Sequence, residues 1–102
     1  MKRFDNVELV KFPEIDEVDN ALMVGHFERF LSKVPVKNED RLILSSKEYA
    51  KGGLRKQHEI KARLILDGKA FFASTTGWQL LETTQDVLKK LEREVLQEHS
   101  SD

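Results

Sequence analysis

Apolar side chains recur along the chain at two periods, and the switches between them mark the elements. Val7 and Leu9, with Phe4 before them, alternate with polar residues as far as Phe12. This predicts a first strand, which Pro13 ends. The run Glu14-Ile15-Asp16-Glu17-Val18-Asp19 has the acidic composition of a helix start, where carboxylates meet the positive end of the helix dipole. Val18, Leu22, Met23, Phe27, Phe30, Leu31 and Val34 then follow at spacings of mostly three and four. That period predicts an amphipathic helix ending before Pro35, because proline keeps the residue before it out of helical geometry.

Asp40-Arg41-Leu42-Ile43-Leu44-Ser45 is a short β run. Ile60, Ala62, Leu64 and Leu66 alternate with Lys61, Arg63 and Ile65, which predicts a half-buried strand. Between the two lies 47–57, with Gly52-Gly53 and four basic residues, expected to be a long, mobile hairpin connection. Asp67-Gly68 is a strong tight-turn signal and leads into a last strand over 69–74. Thr76-Gly77-Trp78-Gln79 fits a capping box, in which Thr76 would cap the final helix and Gln79 reach back. That helix carries one stripe of Trp78, Leu81, Thr84, Leu88, Leu91 and Val95, widened by Leu80 and Val87. A coiled-coil reading of the stripe lasts barely two heptads, so packing on a sheet is preferred. The order is β-α-β-β-β-α. It predicts an α+β fold with both helices on one face of a four-stranded, largely antiparallel sheet. One domain over 1–98 and a flexible tail over 99–102 are expected.

Composition narrows the class. At 102 residues, with 39% apolar and 34% charged side chains, the chain suits one small globular domain with a heavily charged surface. No apolar run approaches the ~18 residues of a membrane span. The N-terminal Met1-Lys2-Arg3-Phe4-Asp5 lacks the apolar core of a secretory signal. Without cysteine there is no disulfide and no thiolate chemistry, which fits a cytoplasmic setting.

Catalytic patterns do not emerge. His26, His58 and His99 lack metal-ligand spacing, and the serines at 45–46 and 74 lack a nucleophile-elbow setting. The glycines do not spell a phosphate loop. Most carboxylates fall on helix faces, where pairs such as Asp86 with Lys90 brace the surface. We therefore expect no enzyme, cofactor or metal.

Charge is more telling. The net charge of −1 is distributed unevenly: 1–40 carry six basic and nine acidic residues, 41–69 eight and three, and 70–102 three and six. A basic middle between acidic flanks points to a local patch for a polyanion. If Ile60, Ala62, Leu64 and Leu66 face the helices, Lys61 and Arg63 must face the other way. Arg41 joins them if Leu42 and Leu44 point inward. The hairpin adds Lys47, Lys51, Arg55 and Lys56, and the last helix adds Lys89, Lys90 and Arg93. Cations that converge on phosphates are the footprint of nucleic-acid binding. No aromatic stacking platform is evident, since Phe71 or Phe72 must enter the core, so backbone and shape recognition of structured RNA is expected. The competing reading is a protein-interaction module, or a homodimer through the open sheet face or an edge strand, favoured if Ile43 and Ile65 are exposed.

The run His58-Glu59-Ile60-Lys61-Ala62-Arg63-Leu64, with Asp67-Gly68, Phe72-Ala73 and Lys90-Leu91-Glu92-Arg93, resembles the ribosome hibernation-promoting factor and protein Y family. The likeness runs without a gap over about 58–96, whereas 4–57 match in element order. It implies a fold akin to double-stranded RNA-binding domains. It further implies binding to rRNA of the small ribosomal subunit, in the channel of messenger and transfer RNA, and idling of the ribosome under stress. Lys61, Arg63, Lys89, Lys90 and Arg93 occupy places comparable to the family's RNA-contacting basic residues, and the chain resembles the short form. No membrane or small-molecule partner is implied. Two features depart from the family: Leu81-Glu82-Thr83-Thr84-Gln85 stands where an aromatic, small residues and an acid are usual, and the first helix has only Arg29 and Lys33 as basic residues.

Overall fold

In the computed structural model, which describes residues 7–37, 39–50, 52–53 and 55–100 (of 99 and 100 the backbone only), the alternating segments become a single sheet. The elements are β1 (Val7–Val10), α1 (Glu17–Lys33), β2 (Arg41–Ala50), β3 (Lys56–Leu66), β4 (Lys69–Gly77) and α2 (Leu80–Ser100). Sheet order follows chain order, β1-β2-β3-β4. β2, β3 and β4 are antiparallel neighbours, while β1 runs parallel to β2 with α1 as the crossover, so the sheet is mixed. The expected β-α-β-β-β-α order and α+β class are those observed.

Turn chemistry sets the register. Asp67 and Gly68 both have positive φ, 53° and 79°, as a two-residue hairpin turn of the primed type requires. Leu66 therefore sits opposite Lys69, and the same ladder runs on to His58 opposite Gly77. Beside the turn, the buried Asp40 side chain accepts the backbone N–H of Lys37 at 2.8 Å and that of Asp67 at 3.0 Å. One carboxylate thereby fastens the connection after α1 to the β3–β4 turn.

Register and pleat then sort the side chains. Leu42, Leu44, Ile60, Ala62, Leu64, Leu66 and Phe71 are buried in one cluster with Met23, Phe27, Phe30 and Val34 and with Val87, Leu88, Leu91 and Val95. Both helices thus cover the same face. Side chains such as Leu64 and Leu91, wholly buried, contribute roughly 1.5–3 kcal/mol each. Among the described residues no helix covers the opposite face, and it holds Arg41, Lys61, Arg63 and Phe72 exposed.

Several expectations are corrected. The long loop expected over 47–57 is mostly strand: Lys47 stands opposite Glu59 and Lys56 opposite Ala50. No apolar alternation marked this stretch because its residues are nearly all polar or charged, with Lys47, Glu48, Ala50 and Lys56 exposed and Tyr49 and 57–59 half-buried. β1 ends at Val10, short of Phe12, and Phe4 lies outside the described residues. In α1 the buried line is Met23, Phe27, Phe30 and Val34, whereas Val18 is 70% and Leu22 51% exposed. The cap of α1 is Asp16, whose carboxylate accepts the N–H of Asp19 at 2.8 Å. Thr76 caps nothing: it pairs with Glu59 in the ladder, and α2 starts at Leu80. Trp78 precedes that helix and is 46% exposed instead of heading its stripe. The first turn of α2 is sealed by Thr83 and Thr84, whose buried hydroxyls donate to the carbonyls of Gln79 (2.6 Å) and Leu80 (2.8 Å). The Thr83 side chain crowds Gly77, where any Cβ would collide with its Oγ1. Residues 99 and 100, assigned to a tail, continue α2, and 101–102 lie outside the described residues.

Candidate nucleic-acid interface

The helix-free face is a small grid that the two antiparallel registers lay out. One row reads Ile43, Arg63, Phe72 across β2, β3 and β4, the next Ser45, Lys61, Ser74, and on the other side Arg41, Ile65, Ala70. Rows are about 7 Å apart and strands about 4.8 Å. Lys47 extends the face along β2 and stands with its ammonium 5.3 Å from the Tyr49 ring centroid. A shallow depression lined by Ile43, Ser45, Lys61, Arg63, Phe72 and Ser74 lies at the centre.

Charge on this face is lopsided. Arg41 meets Glu8 at 3.7 Å, both well exposed, and a solvated pair of this kind is held weakly. Glu59 accepts a hydrogen bond from the Tyr49 hydroxyl at 3.1 Å. Among the described residues, Lys61 and Arg63 have no carboxylate within ion-pair distance. Their charge is open to a ligand.

The ten basic residues expected to bind RNA do not form one patch. Arg41, Lys47, Lys61 and Arg63 share the open face. Lys56 has the parity of Ile60 along β3 and so points to the other side of the sheet, at the far end of the hairpin. Arg55 lies over the Trp78 ring, 4.2 Å from its centroid, and pins the end of the hairpin to the β4–α2 junction. Lys89, Lys90 and Arg93 sit exposed on α2, across the sheet from the open face. Lys90 does not brace Asp86. It donates to the Ser74 carbonyl at 3.0 Å on the outer edge of β4. Lys51 lies outside the described residues.

Lys89 belongs to a second cationic feature, a narrow groove between the helices that includes His26, Arg29, Lys33, Gln85, Lys89 and Glu92. Arg29 Nη2 donates to His26 Nδ1 at 2.6 Å, which requires a neutral imidazole with its proton on Nε2. Burial holds the His26 pKa below its ordinary 6.5, and the nearby charges of Arg29 and Lys89 push it the same way. Glu92 offsets part of this charge through Lys33 at 4.0 Å. The i, i+3, i+7 spacing of His26, Arg29 and Lys33 was visible along α1 and would have disclosed this side of the groove.

Reading the chain left open which of Phe71 and Phe72 enters the core, and it expected no aromatic platform. Of the two adjacent phenylalanines, Phe71 enters the core and Phe72 stands on the open face, 63% exposed, with the Arg63 guanidinium carbon 5.9 Å from its ring centroid. An aromatic surface does exist on this sheet. Ile43 and Ile65, expected beside the arginines, are there and are half-buried. Among the described residues, no group of three or more histidine, aspartate or glutamate side chains could hold a metal ion, and no helix is long and apolar enough to cross a membrane.

No protein-family model matches the chain, and no curated protein is similar enough in sequence to match it. The fold has a solved counterpart, the N-terminal domain of Protein Y from Thermus thermophilus. The two superpose with a TM-score of 0.54 at 15% sequence identity, over 87% of this chain and 91% of that one.

Proposed function

We propose that this protein is a non-enzymatic, cytoplasmic ribosome-associated factor. It binds rRNA of the small subunit in the channel of messenger and transfer RNA and inhibits translation by occupying that space, as a hibernation factor does under stress. The observation that carries this reading is the pair Lys61 and Arg63, exposed and, among the described residues, without carboxylate partners on the sheet face opposite the helices, beside Arg41 and Lys47. Fixed cations on a pleated surface can meet successive phosphates without first breaking ion pairs of their own. Sequence resemblance over 58–96 to the hibernation-factor and protein Y family, and the fold shared with a Protein Y domain, support the choice of partner. Lys89, Lys90 and Arg93 form a second contact on α2, and Arg55, Lys56 and Lys51 contribute from the hairpin.

Co-sedimentation with small subunits tests the proposal. Replacing Lys61, Arg63, Lys89 and Arg93 together by Glu should abolish it with the circular dichroism spectrum unchanged. Because the two pairs lie on opposite sides of the sheet, the double variants Lys61→Glu/Arg63→Glu and Lys89→Glu/Arg93→Glu separate their shares. Association that survives the fourfold change would refute the assigned surface.

A further inference from the structure

The centre of the open face carries a feature that phosphate binding does not explain. Phe72 is a large aromatic side chain left 63% exposed on an edge strand, at the rim of a depression that also holds the cations Lys61 and Arg63, the hydroxyls of Ser45 and Ser74, and apolar surface from Ile43. A ring serving only the fold would turn inward, as Phe71 does. We infer that Phe72 is a stacking platform for one unpaired base, so that the open face reads a single-stranded or flipped-out nucleotide. This rests on the RNA-binding function proposed above and specifies which part of an RNA meets this face.

The grid fits a nucleotide. The depression spans about 10 Å from β2 to β4 and about 7 Å along the strands. A base laid on the Phe72 ring leaves its sugar over the middle strand. Arg63 lies directly opposite Phe72 with its guanidinium carbon over the ring, 5.9 Å from the centroid, so the base takes the ring surface that Arg63 leaves free while Arg63 turns to the phosphate of the stacked nucleotide. Lys61 stands one row further on and meets the next phosphate. Ser45 and Ser74 flank Lys61 in the same row and offer hydroxyls to the sugar or the base edge. Ile43 closes the row behind Arg63 with apolar surface.

Charge argues against the other occupants of such a face. A neutral apolar peptide would cover Lys61 and Arg63 and leave both without partners, at a high desolvation penalty. A second copy docking through this face around a two-fold axis would bring these unpaired cations towards their own mates. A ligand with a flat apolar ring and an anion on either side meets the ring and both cations at once. Base–aromatic stacking tolerates any base, so the contact adds affinity with little sequence preference.

Fluorescence anisotropy with two labelled probes decides it: an eight-nucleotide oligoadenylate, and an abasic phosphodiester strand of equal length. The wild-type chain should bind the oligoadenylate more tightly. Phe72→Ala and Phe72→Leu should weaken oligoadenylate binding by roughly 5- to 150-fold, to the level of the abasic strand, as expected for one lost stack. Phe72→Tyr should retain it. Lys61→Gln/Arg63→Gln should weaken both probes alike. Because Phe72 is exposed, these variants should keep the wild-type circular dichroism spectrum, and losing the Arg63 contact should lower the urea midpoint only slightly. Equal wild-type affinity for the two probes, or unchanged oligoadenylate affinity in Phe72→Ala, overturns the inference. So does sedimentation showing that Phe72→Ala merely dissociates a dimer. The parent proposal is judged separately: Phe72→Ala that still co-sediments with small subunits leaves it intact, whereas a wild-type chain that binds neither ribosomes nor either probe removes both.

Discussion

Neutralising Lys61 and Arg63 should change the salt dependence of RNA binding by an amount the open face dictates. Both side chains are exposed and neither is ion-paired among the described residues, so Lys61→Gln/Arg63→Gln strands no buried partner. Stability should move by less than about 0.5 kcal/mol per site. Arg63 also leaves the Phe72 ring, a contact worth about 0.5 kcal/mol when solvated. Binding should respond far more. Each phosphate contact adds ~0.7 (single strand) to ~0.9 (duplex) to the slope of log Kd against log salt, so removing two should lower that slope by about 1.4–1.8. Raising salt fourfold, from about 50 to about 200 mM, should then weaken the double variant ~7- to 12-fold less than the wild-type complex. Anisotropy titrations of a labelled small-subunit rRNA fragment at four salt concentrations measure both slopes. An unchanged slope in the variant would refute the reasoning, because the phosphates would be meeting other cations. A slope that fell instead in Lys89→Gln/Arg93→Gln would transfer the contact to the helix layer.

Three further expectations follow from the structure. Asp40→Ala strands the backbone N–H groups of Lys37 and Asp67 that the carboxylate now accepts, at about 1–3 kcal/mol each, and a urea titration should show a loss of ~2–6 kcal/mol. Gly77→Ala drives a methyl group into Thr83 Oγ1 and should destabilise by roughly 1–3 kcal/mol. Adding Thr83→Ala should recover part of that loss in a double-mutant cycle, and strict additivity would show that the clash relaxes elsewhere. His26, whose folded pKa lies below 6.5, stays neutral in the fold while the unfolded chain takes up a proton. Its contribution is therefore complete above pH ~6.5 and is lost as pH falls from there through the folded pKa. Urea midpoints measured between pH 7.5 and 5 should fall less steeply in His26→Gln, and NMR titration should show the His26 pKa rising in Arg29→Gln.

Reading the chain by itself determined the element order, the tight turn at Asp67-Gly68 and the division of β3 into a core face and a charged face. Each of these is local: a positive-φ pair, or a period of two with one side apolar, needs no knowledge of the partner strand. The exposure of Lys61 and Arg63 followed from the same alternation. The stretches that misled are those whose environment is set from a distance. The polar ends of β2 and β3 gave no signal, because their half-buried positions, Tyr49 and 57–59, are filled mostly by polar side chains whose burial is set by neighbouring strands. Thr76 and Gln79 fit a cap by spacing alone, yet pairing of Thr76 with Glu59 keeps that segment in the sheet. Val18 and Leu22 fit a helical stripe, but where α2 lies decides which side of α1 is covered. The choice between Phe71 and Phe72 likewise belongs to tertiary structure, since a two-residue period allows either phase and only pairing with Leu64 and Arg63 selects one. That selection put an aromatic ring beside Lys61 and Arg63, two cations without carboxylate partners among the described residues, and tertiary packing divided the basic residues between a sheet face and a helix layer that no one-dimensional pattern could tell apart.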